Sequence, residues 1–370
     1  MRILITGGAG FIGSHTADAL LAAGHAVRIL DSLEPPVHQN GWPDYLAGNA
    51  EKIRGSVTDR HPLAEALEGV DAVYHFAAYQ DSLPQFSRFF NVNAGGTALL
   101  YEVIVEQRLP VRKIILASSQ ASAGEGLYEC PQDGLVFPDM RAAPQLEAGE
   151  WDLVCPTCQG CIRMLPTPET VCNPQNPYGL SKLTQERLAI HLSRRYGIPT
   201  VALRYSIVLG PRQAFSNPYS GACRAFCLSL HCGGRPVIHE DGLQLRDFVH
   251  VEDVVAANLL ALEDDRADYG VFNVGGGRAH TVLDLAHTVA VVYASDIDLQ
   301  PSDIYRVGDT RHAVSSIEKL QTLGWTPRRT MHDGVSAYRE WLRECNPPPS
   351  AIESARHALE SSGILRVSGR

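Results

Sequence analysis

The chain has 370 residues, of which 45% are hydrophobic and 20% are charged, enough to bury a large core in one two-part domain or two small domains. Its formal net charge of −9 argues against a nucleic-acid partner. The sequence has no apolar run of 18 residues and begins directly with a predicted strand, so we expect no membrane span, no signal peptide and a cytoplasmic location.

A glycine-rich turn follows the first predicted strand. Residues 1–6 (MRILIT) form that strand, and residues 7–13 (GGAGFIG) then place Gly7, Gly10 and Gly13 at the spacing Gly-x-x-Gly-x-x-Gly before an apolar helix. Such glycines allow a tight turn and let backbone N–H groups approach a pyrophosphate at the start of a helix. The next strand ends at Asp31, whose carboxylate can accept hydrogen bonds from an adenosine ribose and would repel a 2′-phosphate. The pattern predicts an NAD site rather than an NADP site.

Three further residues suggest proton transfer. Tyr178 and Lys182 lie four residues apart at the start of a predicted helix, so their side chains share one face. An ammonium beside the phenol is expected to lower the pKa of Tyr178 from about 10 and to make it a base near neutral pH. Ser119 ends another predicted strand and could hydrogen-bond a substrate hydroxyl group as its proton leaves.

Two later segments carry arginines that could clamp a diphosphate. They are residues 246–254 (RDFVHVEDV) and residues 306–311 (RVGDTR). The planar guanidinium group matches phosphate geometry, although each arginine could instead belong to a surface ion pair.

Taken in order, these segments resemble the extended short-chain dehydrogenase/reductase family, specifically its NAD-dependent nucleotide-sugar epimerase and dehydratase branch. Other segments that carry the resemblance are residues 75–78 (HFAA), 93–97 (NAGGT), 203–205 (LRY), 210–212 (GPR) and 272–275 (FNVG). The resemblance implies that the dinucleotide contacts Gly7, Gly10, Phe11, Ile12, Gly13, Asp31, Ser56, Val57, Ala77, Ala78, Asn93, Tyr178 and Lys182. It implies catalytic roles for Ser119, Tyr178 and Lys182. It implies that a nucleotide-sugar substrate contacts Arg212, Asn217, Arg246, Arg306 and Asp309.

The alternation of predicted strands and helices up to about residue 209 indicates an α/β fold, a Rossmann-type doubly wound parallel sheet with the cofactor at the carboxyl ends of the strands. By resemblance, residues 1–209 form the NAD-binding domain, and residues 210–246 and 276–345 form a smaller C-terminal substrate-binding lobe. Residues 247–275 return to the Rossmann sheet, and we assign no function to the tail, residues 346–370. The resemblance also implies a homodimer that pairs through the helix of Tyr178 and the helix after Asn93. The apolar residues Leu183, Leu188, Ile190 and Leu192 could supply that interface or pack within one subunit.

A cysteine-rich insert, residues 125–173, separates the Ser119 segment from the Tyr178 helix. It contains five of the nine cysteines: Cys130, Cys155, Cys158, Cys161 and Cys172. Residues 155–160 (CPTCQG) look like a zinc knuckle, and residues 130–134 (CPQDG) look like a half-degenerate second one. We expect one structural zinc held by Cys130, Cys155 and Cys158, with Cys161 as the preferred fourth ligand and Cys172 or Asp133 as alternatives. A set of free thiols is the competing interpretation.

The residues after Ser119 discriminate between the reactions of this family. A 4,6-dehydratase normally carries an Asp-Glu pair at the positions of Gln120 and Ala121, and the decarboxylases carry a Glu nearby. Because neither carboxylate is present, the resemblance favours a nucleotide-sugar epimerase acting at C4 through a transient 4-keto sugar. The alternatives are an NAD-dependent nucleotide-sugar dehydrogenase or other keto-sugar enzyme, and a non-catalytic NAD-binding regulatory protein.

Three residues depart from the family pattern. Ser56 replaces an Asp expected near the adenine. Ala123 and Ile207 stand where a Tyr and an Asn are usual, both in the expected sugar pocket. Because Ile207 cannot make the hydrogen bond of an Asn, the sugar could be deoxygenated or otherwise unusual. The sequence does not name the sugar or its nucleotide base.

Overall fold

The computed structural model describes residues 1–81, 84–217, 219, 221–348, 360 and 363–369. Its centre is a seven-stranded sheet in which every neighbouring pair of strands is parallel, in the order β12-β9-β5-β4-β1-β2-β3. These strands are β1 (Arg2–Thr6), β2 (Ala26–Asp31), β3 (Glu51–Arg54), β4 (Ala72–His75), β5 (Lys113–Ser119), β9 (Thr200–Tyr205) and β12 (Val271–Val274). The predicted doubly wound fold is confirmed.

Helices cover both faces of this sheet. One face carries α1 (Phe11–Ala22) and α8 (Val251–Glu263), which pack against each other; α1 also packs against β1 and β2, and α8 against β5 and β9. The other carries α2 (Arg60–Leu67), α4 (Gly96–Glu106) and α6 (Pro177–Tyr196). The remaining short helices around the sheet are α3 (Phe86–Phe89), which a π-helical turn over residues 90–95 joins to α4, and α10 (Glu318–Gln321). Because both faces are covered, six of the seven strands are buried and largely apolar, whereas the edge strand β3 is charged and mostly exposed.

Local sequence sets the start and end of α6. The side chain of Asn176 accepts a hydrogen bond from the backbone N–H of Gly179 at 2.8 Å, and Pro177 occupies the first helical position. Gly197 ends the helix in the left-handed region at φ +67°. Tyr178 and Lys182 therefore lie in its first turns, at the carboxyl edge of the sheet.

The C-terminal lobe has its own apolar core. It consists of the three-stranded sheet β10-β11-β13 packed against three helices. Their bounds are β10 (Ile207–Leu209), β11 (Leu245–His250), β13 (Ala279–Thr281), α7 (Gly221–His231), α9 (Val282–Val292) and α11 (Met331–Cys345). Capping boxes at Thr281 with Asp284 and at Thr330 with Asp333 begin α9 and α11.

The cysteine-rich insert is folded. It contains an antiparallel sheet of order β7-β6-β8 and one short helix. These elements are β6 (Leu127–Cys130), β7 (Gly134–Val136), α5 (Ala143–Glu147) and β8 (Arg163–Leu165).

The described part of the tail belongs to the lobe. Strand β15 (Leu365–Val367) pairs antiparallel with β14 (Ile304–Arg306), and the backbone N–H of Ser368 donates to Asp303 O at 2.8 Å. Within the described ranges of the chain, the structure contains no helix with both the length and the apolar character needed to cross a membrane.

Candidate active site

A single cleft of about 830 Å³ runs from the carboxyl edge of the central sheet into the C-terminal lobe. The loop after β1 opens into it where the strand order reverses, because β2 and β3 extend the sheet to one side of β1 and β4 extends it to the other. Crevices at such a reversal are the usual ligand sites of open α/β sheets.

The glycine turn packs too closely for side chains. A Cβ on Gly7, whose φ is +69°, would lie 2.8 Å from the backbone nitrogen of Ala77, and a Cβ on Gly13 would lie 2.4 Å from Gly7 O. Gly7, Gly10, Phe11 and Ile12 line the cleft, whereas Gly13 only lets α1 approach the turn. This backbone cradle at the start of α1 fits a dinucleotide pyrophosphate.

Asp31 lies at the same edge, at the end of β2. It is buried and lines the cleft, and its two carboxylate oxygens accept the backbone N–H groups of Ala9 at 3.0 Å and Leu33 at 2.9 Å. The carboxylate is thereby fixed in position while each oxygen keeps a further lone pair for a ribose hydroxyl group. The predicted cofactor residues Ser56, Val57, Ala77 and Ala78 also line the cleft.

Asn93 has a different position from the one predicted. It is fully buried behind the cleft lining, where its side chain accepts from Tyr79 N at 2.8 Å and donates to Tyr79 O at 3.0 Å and to Ser181 Oγ at 2.9 Å. The structure therefore corrects the expected cofactor contact. Asn93 instead ties the loop after β4 to α6.

Ser119, Tyr178 and Lys182 all line the cleft. Burial raises the pKa of Tyr178 well above its usual value, an effect that Tyr219 increases and a hydrogen bond with Ser119 opposes. Burial also lowers the pKa of Lys182 to about 7, against the opposing charge of Glu186. The predicted lowering of the Tyr178 pKa by Lys182 is therefore absent here, because desolvation dominates both groups.

The amino group of Lys182 is held by a buried polar chain. Lys182 Nζ donates to Gln185 Oε1 at 2.6 Å, and Gln185 Nε2 donates to Thr97 Oγ1 at 2.9 Å. Thr97 Oγ1 also lies 3.0 Å from His75 Nε2, whose ring Nδ1 lies 2.9 Å from Thr6 Oγ1. This chain links the strand before the glycine turn to the helix of Tyr178.

Several polar groups line the lobe side of the cleft. Arg306 lines it, and its Nε is buried with no hydrogen-bond partner within the described part of the chain. Arg246 donates to the carbonyl groups of residues 245, 310 and 311 at 2.8 to 3.0 Å and lies 3.8 Å from Asp309. Asp309 and Asn217 line the same region. Of these two arginines, Arg306 is the one that keeps a buried Nε for an anionic ligand.

The sequence analysis missed Arg224. It lies on α7, is buried, lines the cleft, and donates from Nη1 to Phe215 O at 2.9 Å, while its Nε finds no partner among the described residues. A lone arginine within the apolar stretch of residues 222–230 was the available signal. The β15 residues Leu365, Arg366 and Val367 also line the cleft and were not predicted.

Arg212 does not take the position expected of a substrate ligand. Its Nη1 donates to Asp18 Oδ2 at 2.7 Å, and its guanidinium group stacks 5.0 Å from the centre of the Tyr45 ring. Arg212 lies outside the cleft lining and connects the lobe to α1. We correct the prediction accordingly.

Ala123 and Ile207 are the two residues that differ from the family pattern in the expected sugar pocket, and one of them lines the cleft. Ile207 lines it, whereas Ala123 lies between the lining residues Ala121 and Gly124 without lining the cleft itself. Gln120 and Ala121 both line the cleft beside Ser119.

The metal prediction also needs a correction. The structure brings together ligand atoms of Cys130, Asp133, Cys155 and Cys158, all within 4.8 Å of one another. Cys161 is exposed and outside this group, and Cys172 instead receives a hydrogen bond from Arg204 Nη2 at 3.1 Å. Asp133 replaces Cys161 in the candidate set.

A doubly wound sheet, a glycine cradle with an acidic residue at the end of β2, and a Ser-Tyr-Lys group together define an NAD-binding enzyme site. The family model "NAD dependent epimerase/dehydratase family" matches residues 3–137 and 158–275, and the chain belongs to this family.

Its similarity to characterised proteins extends over nearly the whole chain. It is 33% identical over 352 residues to a dTDP-L-rhamnose 4-epimerase of Burkholderia thailandensis, covering 93% of this chain and 95% of that protein. Among solved structures it resembles UDP-glucose 4-epimerase of Thermotoga maritima with UDP-glucose, with 30% identity, a TM-score of 0.74 and coverage of 94% and 100%. It also resembles the enzyme of that name from Thermus thermophilus in complex with NAD, with 27% identity, a TM-score of 0.74 and coverage of 93% and 99%.

Proposed function

We propose that the protein is an NAD-dependent nucleotide-sugar 4-epimerase acting on a nucleoside diphosphate deoxyhexose. The observation that carries the reaction type is the composition of the cleft beside Ser119. Tyr178 supplies one base there, whereas the neighbouring cleft positions Gln120 and Ala121 carry no carboxylate to assist an elimination of water. A site with one base and no additional acid is suited to oxidising the sugar and then reducing it again.

In the proposed reaction, Tyr178 removes the proton of the sugar C4 hydroxyl group while Ser119 hydrogen-bonds the same oxygen. Bound NAD would supply the hydride acceptor, the hydride donor of the return step and a positively charged ring, whose charge would favour the phenolate form of Tyr178 that burial alone disfavours. Gln185 fixes the amino group of Lys182, which lies one helical turn from Tyr178 on α6. The cleft extends into the lobe, which gives the transient 4-keto sugar room to present its opposite face.

The proposed substrate class depends on the lobe. Arg306 and Arg224 each present a buried Nε without a partner in the described chain, and a diphosphate would satisfy both. The apolar side chain of Ile207 suits a sugar that lacks a hydroxyl group. The relative from Burkholderia thailandensis is named for a nucleotide-linked rhamnose, which supports a deoxyhexose for this protein.

The test is incubation of purified protein with UDP-, dTDP-, GDP- and CDP-sugars, without added cofactor, followed by NMR of the products. We expect C4 epimers to form. Tyr178→Phe should lower turnover by roughly 10² or more because the base is lost while the ring remains. Tyr196→Phe, at the exposed end of the same helix, is the matched control and should keep the wild-type rate.

The other outcomes contradict the proposal in distinguishable ways. A dehydrated sugar would indicate a dehydratase, and accumulation of NADH with an oxidised sugar would indicate a dehydrogenase. NAD binding without turnover of any sugar in the panel would favour the non-catalytic alternative. A near wild-type rate in Tyr178→Phe would remove the proposed base.

A further inference from the structure

Two turns of the cysteine-rich insert converge on one small volume. The end of β6 supplies Cys130 and the turn that follows it supplies Asp133, while the turn after Leu153 supplies Cys155 and Cys158. Asp133 Oδ2 lies 3.1 Å from Cys155 Sγ and 3.5 Å from Cys130 Sγ, and the sulfur atoms of Cys130 and Cys158 are 3.5 Å apart. The cluster lies outside the cleft described above.

These three separations are close to the edges of a tetrahedron around a zinc ion, and the other three are at most 4.8 Å. With Zn–S distances of about 2.3 Å and a Zn–O distance of about 2.1 Å, sulfur atoms lie about 3.8 Å apart and sulfur lies about 3.6 Å from oxygen. A disulfide would require an S–S distance of about 2.0 Å. We propose that Cys130, Asp133, Cys155 and Cys158 form a structural zinc site with three thiolate ligands and one carboxylate ligand.

The backbone explains why Asp133 and not Cys161 completes the set. Cys155 N donates to Gly160 O at 2.8 Å, Gln159 N donates to Cys155 O at 3.0 Å, and Val154 forms an antiparallel bridge with Cys161. This hairpin turn folds the two sulfur atoms of Cys155 and Cys158 inward. Cys161 lies past the turn on the outgoing segment, where it is exposed.

The part of the insert around these four residues has only a small apolar core, whereas Leu146 and Trp151 of the insert pack separately with Tyr305. That small core consists of Tyr128, Val136 and Leu153 together with the side chains of Cys130 and Cys155. Three thiolates and a carboxylate at these distances would repel one another without a cation between them. A structural metal contributes directly to folding, and small β-structures with little core commonly depend on one.

The insert also supports the substrate side of the cleft. Arg141 makes a buried two-point ion pair with Glu240, at 2.8 and 2.9 Å, and donates from Nη2 to Asp309 O at 3.0 Å. Asp309 lines the cleft next to Arg306. Loss of zinc should therefore weaken nucleotide-sugar binding more than NAD binding. This consequence rests on the proposed function, whereas the zinc content does not.

Elemental analysis of full-length protein purified without added metal is the first measurement, and we expect one zinc per chain. Cys158→Ser should lose the zinc, whereas Cys161→Ser, its matched control, should keep it. Asp133→Ala should weaken zinc affinity by about tenfold or more in competition with a chelator. Asp133→Cys should retain the zinc with four thiolates, and Asp139→Ala, an exposed aspartate of the same insert, should behave as wild type.

Cobalt substitution gives an independent count of the ligands. We expect a tetrahedral Co²⁺ spectrum with a thiolate charge-transfer band that becomes stronger in Asp133→Cys. Well under one zinc per chain together with titratable thiols at Cys130, Cys155 and Cys158 would overturn the site. Loss of zinc from Cys161→Ser, or unchanged affinity in Asp133→Ala, would overturn the ligand assignment even if Cys158→Ser fails to fold.

Discussion

At the residue scale, Lys182 combines complete burial with a hydrogen bond to one neutral partner. The residue is 1% exposed, and desolvation lowers the pKa of its amino group from 10.5 to about 7 despite the charge of Glu186. Below pH 7 both the folded and the unfolded chain hold the proton, so folding carries the full cost of burying a charge. Between about pH 7 and 10.5 only the unfolded chain holds it, so the lysine makes the free energy of unfolding rise with pH.

We predict that the unfolding free energy of the apo wild type rises between pH 7 and 9 relative to that of Lys182→Met. The difference should grow by up to about 1.4 kcal/mol per pH unit, the value for one proton. Denaturant unfolding over this range is the measurement, with the exposed Lys52→Met as the control that keeps the wild-type dependence. Parallel curves for the wild type and Lys182→Met would show that the amino group is not desolvated as described.

Asp31 is the residue that should decide cofactor choice. Its carboxylate is fixed by two backbone N–H groups at the end of β2, so it cannot turn away from a 2′-phosphate. We predict that calorimetric titration of apo protein gives NAD an affinity at least about tenfold higher than NADP, roughly 1.4 kcal/mol.

Asp31→Asn should narrow this preference because the negative charge is lost while one side-chain oxygen remains. The exposed Asp296→Asn should leave the preference unchanged. Equal affinities of the wild type for NAD and NADP would refute the role of Asp31 and reopen an NADP-dependent reductase reaction.

At the scale of elements, the tail contributes to the cleft through β15. The strand pairs with β14, which ends at Arg306, and both its outer residues, Leu365 and Val367, line the cleft. Gly369 N donates to Glu147 O at 2.8 Å, so the same segment also contacts the insert. The strand therefore supports Arg306, one of the proposed diphosphate ligands.

Deletion of residues 364–370 should raise KM for the nucleotide sugar by roughly three- to tenfold and change kcat by less than about twofold, because the strand supports binding and is remote from the chemistry. Deletion of Arg370 alone keeps β15 and the Gly369 contact and is the control. An unchanged KM in the longer deletion, or a loss confined to kcat, would contradict this role.

At the scale of the whole molecule, the outer surface of α6 and α4 remains the proposed dimer interface. The two helices pack side by side, with Leu183 buried within the subunit and Leu188, Ile190 and Leu192 only partly buried. A two-fold pairing of such helix pairs would form a four-helix interface.

We predict a homodimer in light scattering at micromolar concentration and a shift toward monomer in Leu188→Glu, because the charge would be buried at the interface. Val291→Glu, at a 70% exposed position on α9, should leave the mass unchanged. A monomer in the wild type would refute the interface.

The order of the motifs along the chain was enough to predict the fold and the central residues of the site. The glycine turn, Asp31, Ser119, Tyr178 and Lys182 could be found from sequence because each depends on local geometry. A glycine spacing sets a turn, a strand end places a side chain at the edge of the sheet, and an i,i+4 pair shares a helix face. The two knuckle-like segments of the insert, residues 130–134 and 155–160, could be recognised for the same reason.

Tertiary packing determined the positions and environments of side chains that no local sequence pattern specifies. Asn93 lies behind the lining, Arg212 turns to Asp18, and Arg224 reaches the cleft because of how separate elements pack, over separations that sequence spacing does not encode. Burial, a property of the whole fold, reversed the expected pKa of Tyr178. The choice of Asp133 over Cys161 likewise came from two turns meeting in space, since a ligand set depends on distances between atoms.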